Sequence, residues 1–315
     1  MGTPEFAVES LKTLVENGYH VAGVITAPDK PAGRGLKVTE SEVKKYAVSV
    51  GLPLLQPEKL RNPVFLEQLA ALKPDLQVVV AFRMLPEAVW ELPPLGTFNL
   101  HASLLPRYRG AAPLNWVLIN GETETGITTF LLSPAIDTGK IIFREKETIH
   151  RDDTAGDLHD RLMVKGARLV CRTVDALASG EAIPISQEML AEPGDNLKAA
   201  PKLTREIMRI RWYQPADQVR NLIRGLSPWP AAWTTLRHSG TDQHAEMKIF
   251  RAETGAPLPS GTLPGSLLTD GKQSLRIACG DRWLLISDLQ LAGRKRMKTE
   301  DFLRGHNGLD RCAAI

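Results

Sequence analysis

The stretch NPVFLEQLAALKPDLQVVVAF, Asn62 to Phe82, carries two periodicities in succession. Its first part spaces apolar residues around Phe65 and Leu69 at helical intervals and stops at Lys73-Pro74, as a helix closed by proline does. Its second part, DLQVVVAF, is a short unbroken apolar run rich in valine, the composition of a strand buried on both faces. Helix followed by buried strand is the unit from which helix-covered parallel sheets are built.

The same alternation continues on both sides. Upstream, FAVESLKTLVENG (6–18) reads as a helix stopped at Asn17-Gly18, YHVAGVIT (19–26) as a β-rich run, SEVKKYAVSVG (41–51) as a helix and LPLLQ (52–56) as a short strand. Downstream, TFNLHAS (97–103) is a strand, APLNWVLING (112–121) a helix, and GITTFLL (126–132) and GKIIFREKETI (139–149) are strands. Residues 153–180 form a long helix with Asp153 or Thr154 as N-cap. The expected architecture is a Rossmann-like α/β domain, a mostly parallel sheet with helices on both faces, whose ligands bind at the carboxyl ends of strands. One element is short. Such domains open on a buried strand, whereas this chain opens on MGTPEF, a loop entering a helix, so the first strand is expected to be truncated. Either the protein starts this way or the chain begins at an internal methionine of a longer reading frame.

Periodicity fades in AEPGDNLKAAPKLT (191–204), whose Pro, Gly, Asp and Asn suit a linker. This divides the chain into a first domain, 1–190, and a second, 205–315. The second has a short helix from about Pro215, then EMKIFRA, GSLLTDG, SLRIACGD and RWLLISDLQL, short strands separated by DG and GD turns. They predict a small β-barrel of oligonucleotide-binding type.

With 43% hydrophobic and 24% charged residues, the composition excludes a disordered chain, and no apolar run is long enough to span a membrane. The start has neither the basic segment nor the long apolar segment of a secretory signal, which predicts a cytoplasmic protein. Cys171, Cys279 and Cys312 are too far apart for a Cys-x-x-Cys metal site and read as reduced thiols. Residues 1–200 hold 21 Lys and Arg against 25 Asp and Glu, while 201–315 hold 18 against 11. A basic C-terminal part suits a polyanionic partner, with surface charge for solubility as the alternative.

Asn99 and His101, two apart on a strand, project from one face. An amide can donate to a developing oxyanion, and an imidazole can take up and return the proton of an attacking amine. Asp137, in an Asp-Thr-Gly turn, could orient that imidazole. On these residues alone, a hydrogen-bonded structural pair and an ordinary Asx turn remain open. No Gly-x-Gly-x-x-Gly follows a first strand, which disfavours a nicotinamide enzyme.

FNLHASLLPRYRGAAPLNWVLINGETETGIT (98–128), followed by AIDTG (135–139), closely resembles the formyltransferases that use 10-formyltetrahydrofolate, particularly those whose acceptor is initiator methionyl-tRNA. The resemblance implies Asn99, His101 and Asp137 as the catalytic trio. It places folate contacts at Ser103, Leu104, Leu105 and Pro106, and at Phe82, Arg83, Met84 and Leu85, although many members have Tyr-Gly where this chain has Phe82-Arg83. TAPDKPAGRGLKVTESEVK (26–44) is similar to a tRNA-contacting loop, with Arg34 as its key arginine and Lys30 and Lys37 beside it. Arg294, Lys295, Arg296 and Lys298 form a basic cluster resembling part of a tRNA-binding barrel, and Trp229 and Trp233 are read as packing residues. The implied co-substrate is 10-formyltetrahydrofolate and the implied partner is initiator methionyl-tRNA, with no metal, membrane or obligate protein partner. A nucleotide or sugar amine as acceptor, or a non-catalytic RNA-binding protein on the same scaffold, are the alternatives.

Overall fold

The computed structural model describes residues 1–32, 37–190, 197–238, 244–306, 309 and 312–315. It contains two compact units, one formed by residues 1–110, 124–148 and 159–199, the other by 111–123, 149–158 and 200–315.

In the first unit, the helix read from Asn62 onward spans Pro63–Ala71. Asn62 caps it by accepting the Val64 N–H at 2.9 Å. Phe65 and Leu69 pack into a core with Ile25, Val79, Leu85 and Val89. The strand that follows, Gln77–Val80, lies parallel to Thr97–His101, with Val79 opposite Asn99. Two further strands, Glu124–Leu131 and Ile141–Thr148, continue this sheet in antiparallel fashion, so it is mixed. A separate parallel pair joins Val24–Ile25 to Leu54–Leu55. The long helix, Ala155–Ala178, packs on the sheet through Thr173, whose hydroxyl donates to Thr129 Oγ1 at 2.9 Å. Gly166 permits the close approach, since a Cβ there would lie 2.7 Å from Leu100 Cδ2.

The first two residues, Met1 and Gly2, pair with the neighbouring backbone. Gly2 bridges Val80 in parallel, its N–H donates to Ile25 O at 3.1 Å, and Val80 N–H donates to Met1 O at 2.9 Å. The Met1 amine donates to Val78 O at 2.6 Å. Beside Met1 and Gly2 lies a cavity of about 350 Å³, bordered by Leu14, Val21, Leu72, Leu76, Gln77 and Val174. Ser10 Oγ and Gln77 Nε2, both beside this cavity, are buried without a hydrogen-bond partner among the described residues. The β-rich run 19–26 forms regular strand only at Val24–Ile25, next to Met1 and Gly2.

The second unit is an antiparallel barrel. Its strands run in the order Leu267–Thr269, Leu275–Ala278, Arg282–Leu291, His244–Pro257, Ala232–His238 and Cys312–Ala314. A bridge between Ser266 and Ala313 brings the first and last together, removing most of the exposed edge. The helix Ala216–Leu226 buries Val219, Ile223 and Leu226 in the core with Ile249, Ile277 and Leu284. Among the described residues, no helix is long and apolar enough to cross a membrane.

Candidate active site

Asn99 and His101 lie at the end of the strand Thr97–His101, with Leu100 between them facing the other way into the core. His101 is buried, and its ring meets Phe130 edge-on with centroids 6.4 Å apart. Asn99 is half-buried, and its carboxamide makes no hydrogen bond among the described residues. An amide left free beside a buried imidazole is a donor available to a ligand.

The loop after His101 folds back on it. His101 Nε2 lies 2.9 Å from Tyr108 O. A carbonyl can only accept, so Nε2 carries the hydrogen and donates. Ser103 Oγ donates to Arg107 O at 2.8 Å, and Thr128 Oγ1 donates to Ser103 O at 2.6 Å while accepting the Leu105 N–H at 3.2 Å. Thr128 stands opposite His101 in the sheet, so the neighbouring strand anchors the loop.

A second loop brings the carboxylate. Asp137 sits in left-handed conformation at φ 54° and accepts the Gly110 N–H at 2.9 Å through Oδ2. The same oxygen is 3.9 Å from His101 Nδ1, the ring nitrogen that Tyr108 leaves free. Gly139 closes this loop tightly, since a Cβ there would fall 1.6 Å from Leu131 O. The Asp137 loop is tied down by Gln187, a buried residue of the short helical turn Gln187–Leu190. Gln187 Nε2 donates to Asp137 O at 2.8 Å and Gly139 O at 2.9 Å, and its Oε1 accepts from Arg109 Nε at 3.1 Å and Nη2 at 2.7 Å. The two loops thus bring Asp137 to His101, with Asn99 two residues before His101 on the same face of the strand Thr97–His101. Among the described residues no group of His, Cys, Asp and Glu is arranged to hold a metal.

Residues 1–174 match the formyl transferase family and residues 202–307 match the formyl transferase C-terminal domain. The chain belongs to the formyl transferase family. It is 54% identical over 305 residues to a methionyl-tRNA formyltransferase of Bacteroides fragilis, covering 97% of this chain and 93% of the relative. It is 55% identical over 306 residues to that of Parabacteroides distasonis, covering 97% and 94%. In fold it is similar to an N-formyltransferase from Helicobacter canadensis in complex with folinic acid and dTDP-3-aminofucose. That likeness has a TM-score of 0.63 at 17% identity and covers 94% of this chain and 97% of the other.

Within this formyl transferase, the other expected residues are placed unevenly. Ser103, Leu105 and Pro106 are buried, and Leu104 is half-buried against Gly126. The Ser103 hydroxyl serves its own loop, not the surface. Leu85 is in the core, Phe82 packs against it, and Met84 is 73% exposed. Arg83 reaches back to the carbonyls of Glu58 and Pro57, and burial lowers its pKa. Lys30 is exposed, Lys37 begins the strand Lys37–Thr39, and Arg34 lies outside the described residues.

In the barrel, the basic cluster separates into two pairs. Arg296 donates to both carboxylate oxygens of buried Asp288, at 2.9 and 2.6 Å, and Lys298 lies 3.5 Å from the same group. Arg294 and Lys295 are exposed and make no ion pair among the described residues. The expectation that Trp229 packs is corrected: it is 80% exposed, its flanking prolines holding it on a turn away from the core. Trp233 is half-buried, with Arg205 and Arg209 guanidinium carbons 4.4 and 5.6 Å from its ring centre. Gln187, Tyr108 and Thr128 were not singled out by sequence. Each acts through a contact made only in the folded chain, and nothing in its local pattern marks it.

Proposed function

We propose that this chain transfers the formyl group of 10-formyltetrahydrofolate to the α-amino group of methionine esterified to initiator tRNA. The observation that carries this reading is the approach of the Asp137 carboxylate to His101 Nδ1, with Asn99 two residues from His101 on the same strand. Relatives of about the same length, at more than half identity, support the acceptor. The co-substrate supplies an activated formyl carbon, and Asn99's free carboxamide fits it as a donor for the formyl oxygen.

Attack requires a neutral amine, and an α-amino group with a pKa near 8 is partly neutral at pH 7. Asn99 stabilises the oxyanion formed on attack. His101 exchanges its Tyr108 hydrogen bond for one to the reacting centre, where it polarises the formyl oxygen or relays the proton lost by the amine to N10 of the folate, whose bond to the formyl carbon breaks to release tetrahydrofolate. Asp137 faces the other ring nitrogen and favours the charged imidazole as it forms. We assign catalysis to residues 1–190 and tRNA binding to 205–315, with 191–204 as the linker, of which 191–196 lie outside the described residues. Lys30, Arg34 and Lys37 would approach the acceptor end, and Arg294 and Lys295 the backbone, with Arg296 and Lys298 of the same cluster bracing it through Asp288, in a reaction carried out in the cytoplasm. Folate would meet the loops at Phe82–Leu85 and Ser103–Pro106, through their backbone where the side chains are buried.

The test is direct formylation. The protein is incubated with 10-formyltetrahydrofolate and charged initiator tRNA, with free methionine and a nucleotide-linked amino sugar as competing acceptors. Formylation of the tRNA alone is expected, and preference for the sugar amine would reject the assigned acceptor.

A further inference from the structure

We propose that Gln187 is a positioning residue for formyl transfer, setting the Asp137 carboxylate against His101; this rests on the catalytic reading of that trio. Its carboxamide is fully used: both N–H groups go to backbone carbonyls of the Asp137 loop, and the oxygen takes two N–H groups of Arg109. The amide therefore has one workable orientation. Turning it over would set its oxygen against two carbonyls and its NH2 against a guanidinium.

The partners matter more than their number. Arg109 immediately precedes Gly110, whose N–H holds the Asp137 carboxylate. Gln187 thus ties the residue next to the carboxylate's donor to the backbone of the carboxylate itself. Asp137 is held in the left-handed region, which a residue with a Cβ occupies at a cost unless its surroundings enforce it. Two of those surroundings are the Gln187 bonds on either side, to Asp137 O and Gly139 O. His101 is fixed separately, by Tyr108 O on the first loop. Releasing Gln187 leaves His101 in place and lets Asp137 drift from Nδ1.

Gln187→Glu keeps the size and the Arg109 contact but turns both donors into acceptors facing carbonyls. Gln187→Met removes every polar contact at similar length. In both variants kcat is expected to fall about 10- to 100-fold, with KM for folate and for tRNA changed less than about twofold. Thermal melting measures the folded fraction of each. Combining either with Asp137→Asn is expected to cost little beyond Asp137→Asn alone, because both changes disable one unit. Wild-type kcat in the Gln187 variants, losses that multiply in the double variant, or losses that only track the folded fraction would overturn the proposal. If Asp137→Asn itself keeps wild-type kcat, the catalytic reading of Asp137 is what has failed.

Discussion

His101 is held by unlike partners, a carbonyl at Nε2 and a carboxylate beyond Nδ1, so its tautomer is set before substrate arrives. His101→Ala and Asn99→Ala are each expected to lower single-turnover kcat about 100-fold or more, since each group acts in the transition state. A rate within about threefold of wild type in either variant would remove that residue from the mechanism. Asn99 and His101 were legible because two residues on a strand share a face whatever the rest of the chain does. Asp137 was legible as a residue but not as a geometry. Its approach to His101 depends on a left-handed backbone, on Gly110 and on Gln187, none of which its own sequence neighbourhood specifies. Burial imposes a different outcome on Cys279, which is closed off in the barrel core with its pKa raised to about 12. It should resist alkylation at pH 8 until the protein unfolds. Rapid labelling of Cys279 in native protein, located by peptide mapping, would contradict that burial.

The first strand is where the sequence and the packing meet most directly. Alternation of helix and strand around Asn62–Phe82 was enough to expect strand pairing before the helix Glu5–Glu16, and there Gly2 bridges Val80 and donates to Ile25 O. The antiparallel direction of Glu124–Leu131 and Ile141–Thr148 was less legible, because an apolar run reports burial and not which way its neighbour runs.

Across the whole chain, positive charge is concentrated in residues 201–315, and the fold decides which part of it is free to act. Composition could report the excess but not the pairing. Arg296 and Lys298 are committed to Asp288; although burial alone would raise that carboxyl's pKa, their hydrogen bonds and charge bring it below its ordinary value. Arg294 and Lys295, on the same turn, have no such commitment among the described residues. The two pairs should therefore respond oppositely to substitution. Replacing Arg294 and Lys295 by Ala is expected to leave Tm unchanged, weaken tRNA binding and lower the slope of log affinity against log salt by about 2, one for each phosphate that the protein no longer neutralises. Arg296→Ala should instead destabilise the barrel by about 1–3 kcal/mol, since it leaves buried Asp288 short of its bidentate partner. That cost belongs to the ionised carboxylate, so it is present above about pH 4 and disappears as pH falls through the lowered folded value. Melting curves between pH 3 and pH 7 and binding titrations at several salt concentrations separate the two roles. An unchanged salt slope for the Arg294 and Lys295 variant would show that the exposed pair touches no phosphate and would move the search for the tRNA surface elsewhere in the chain.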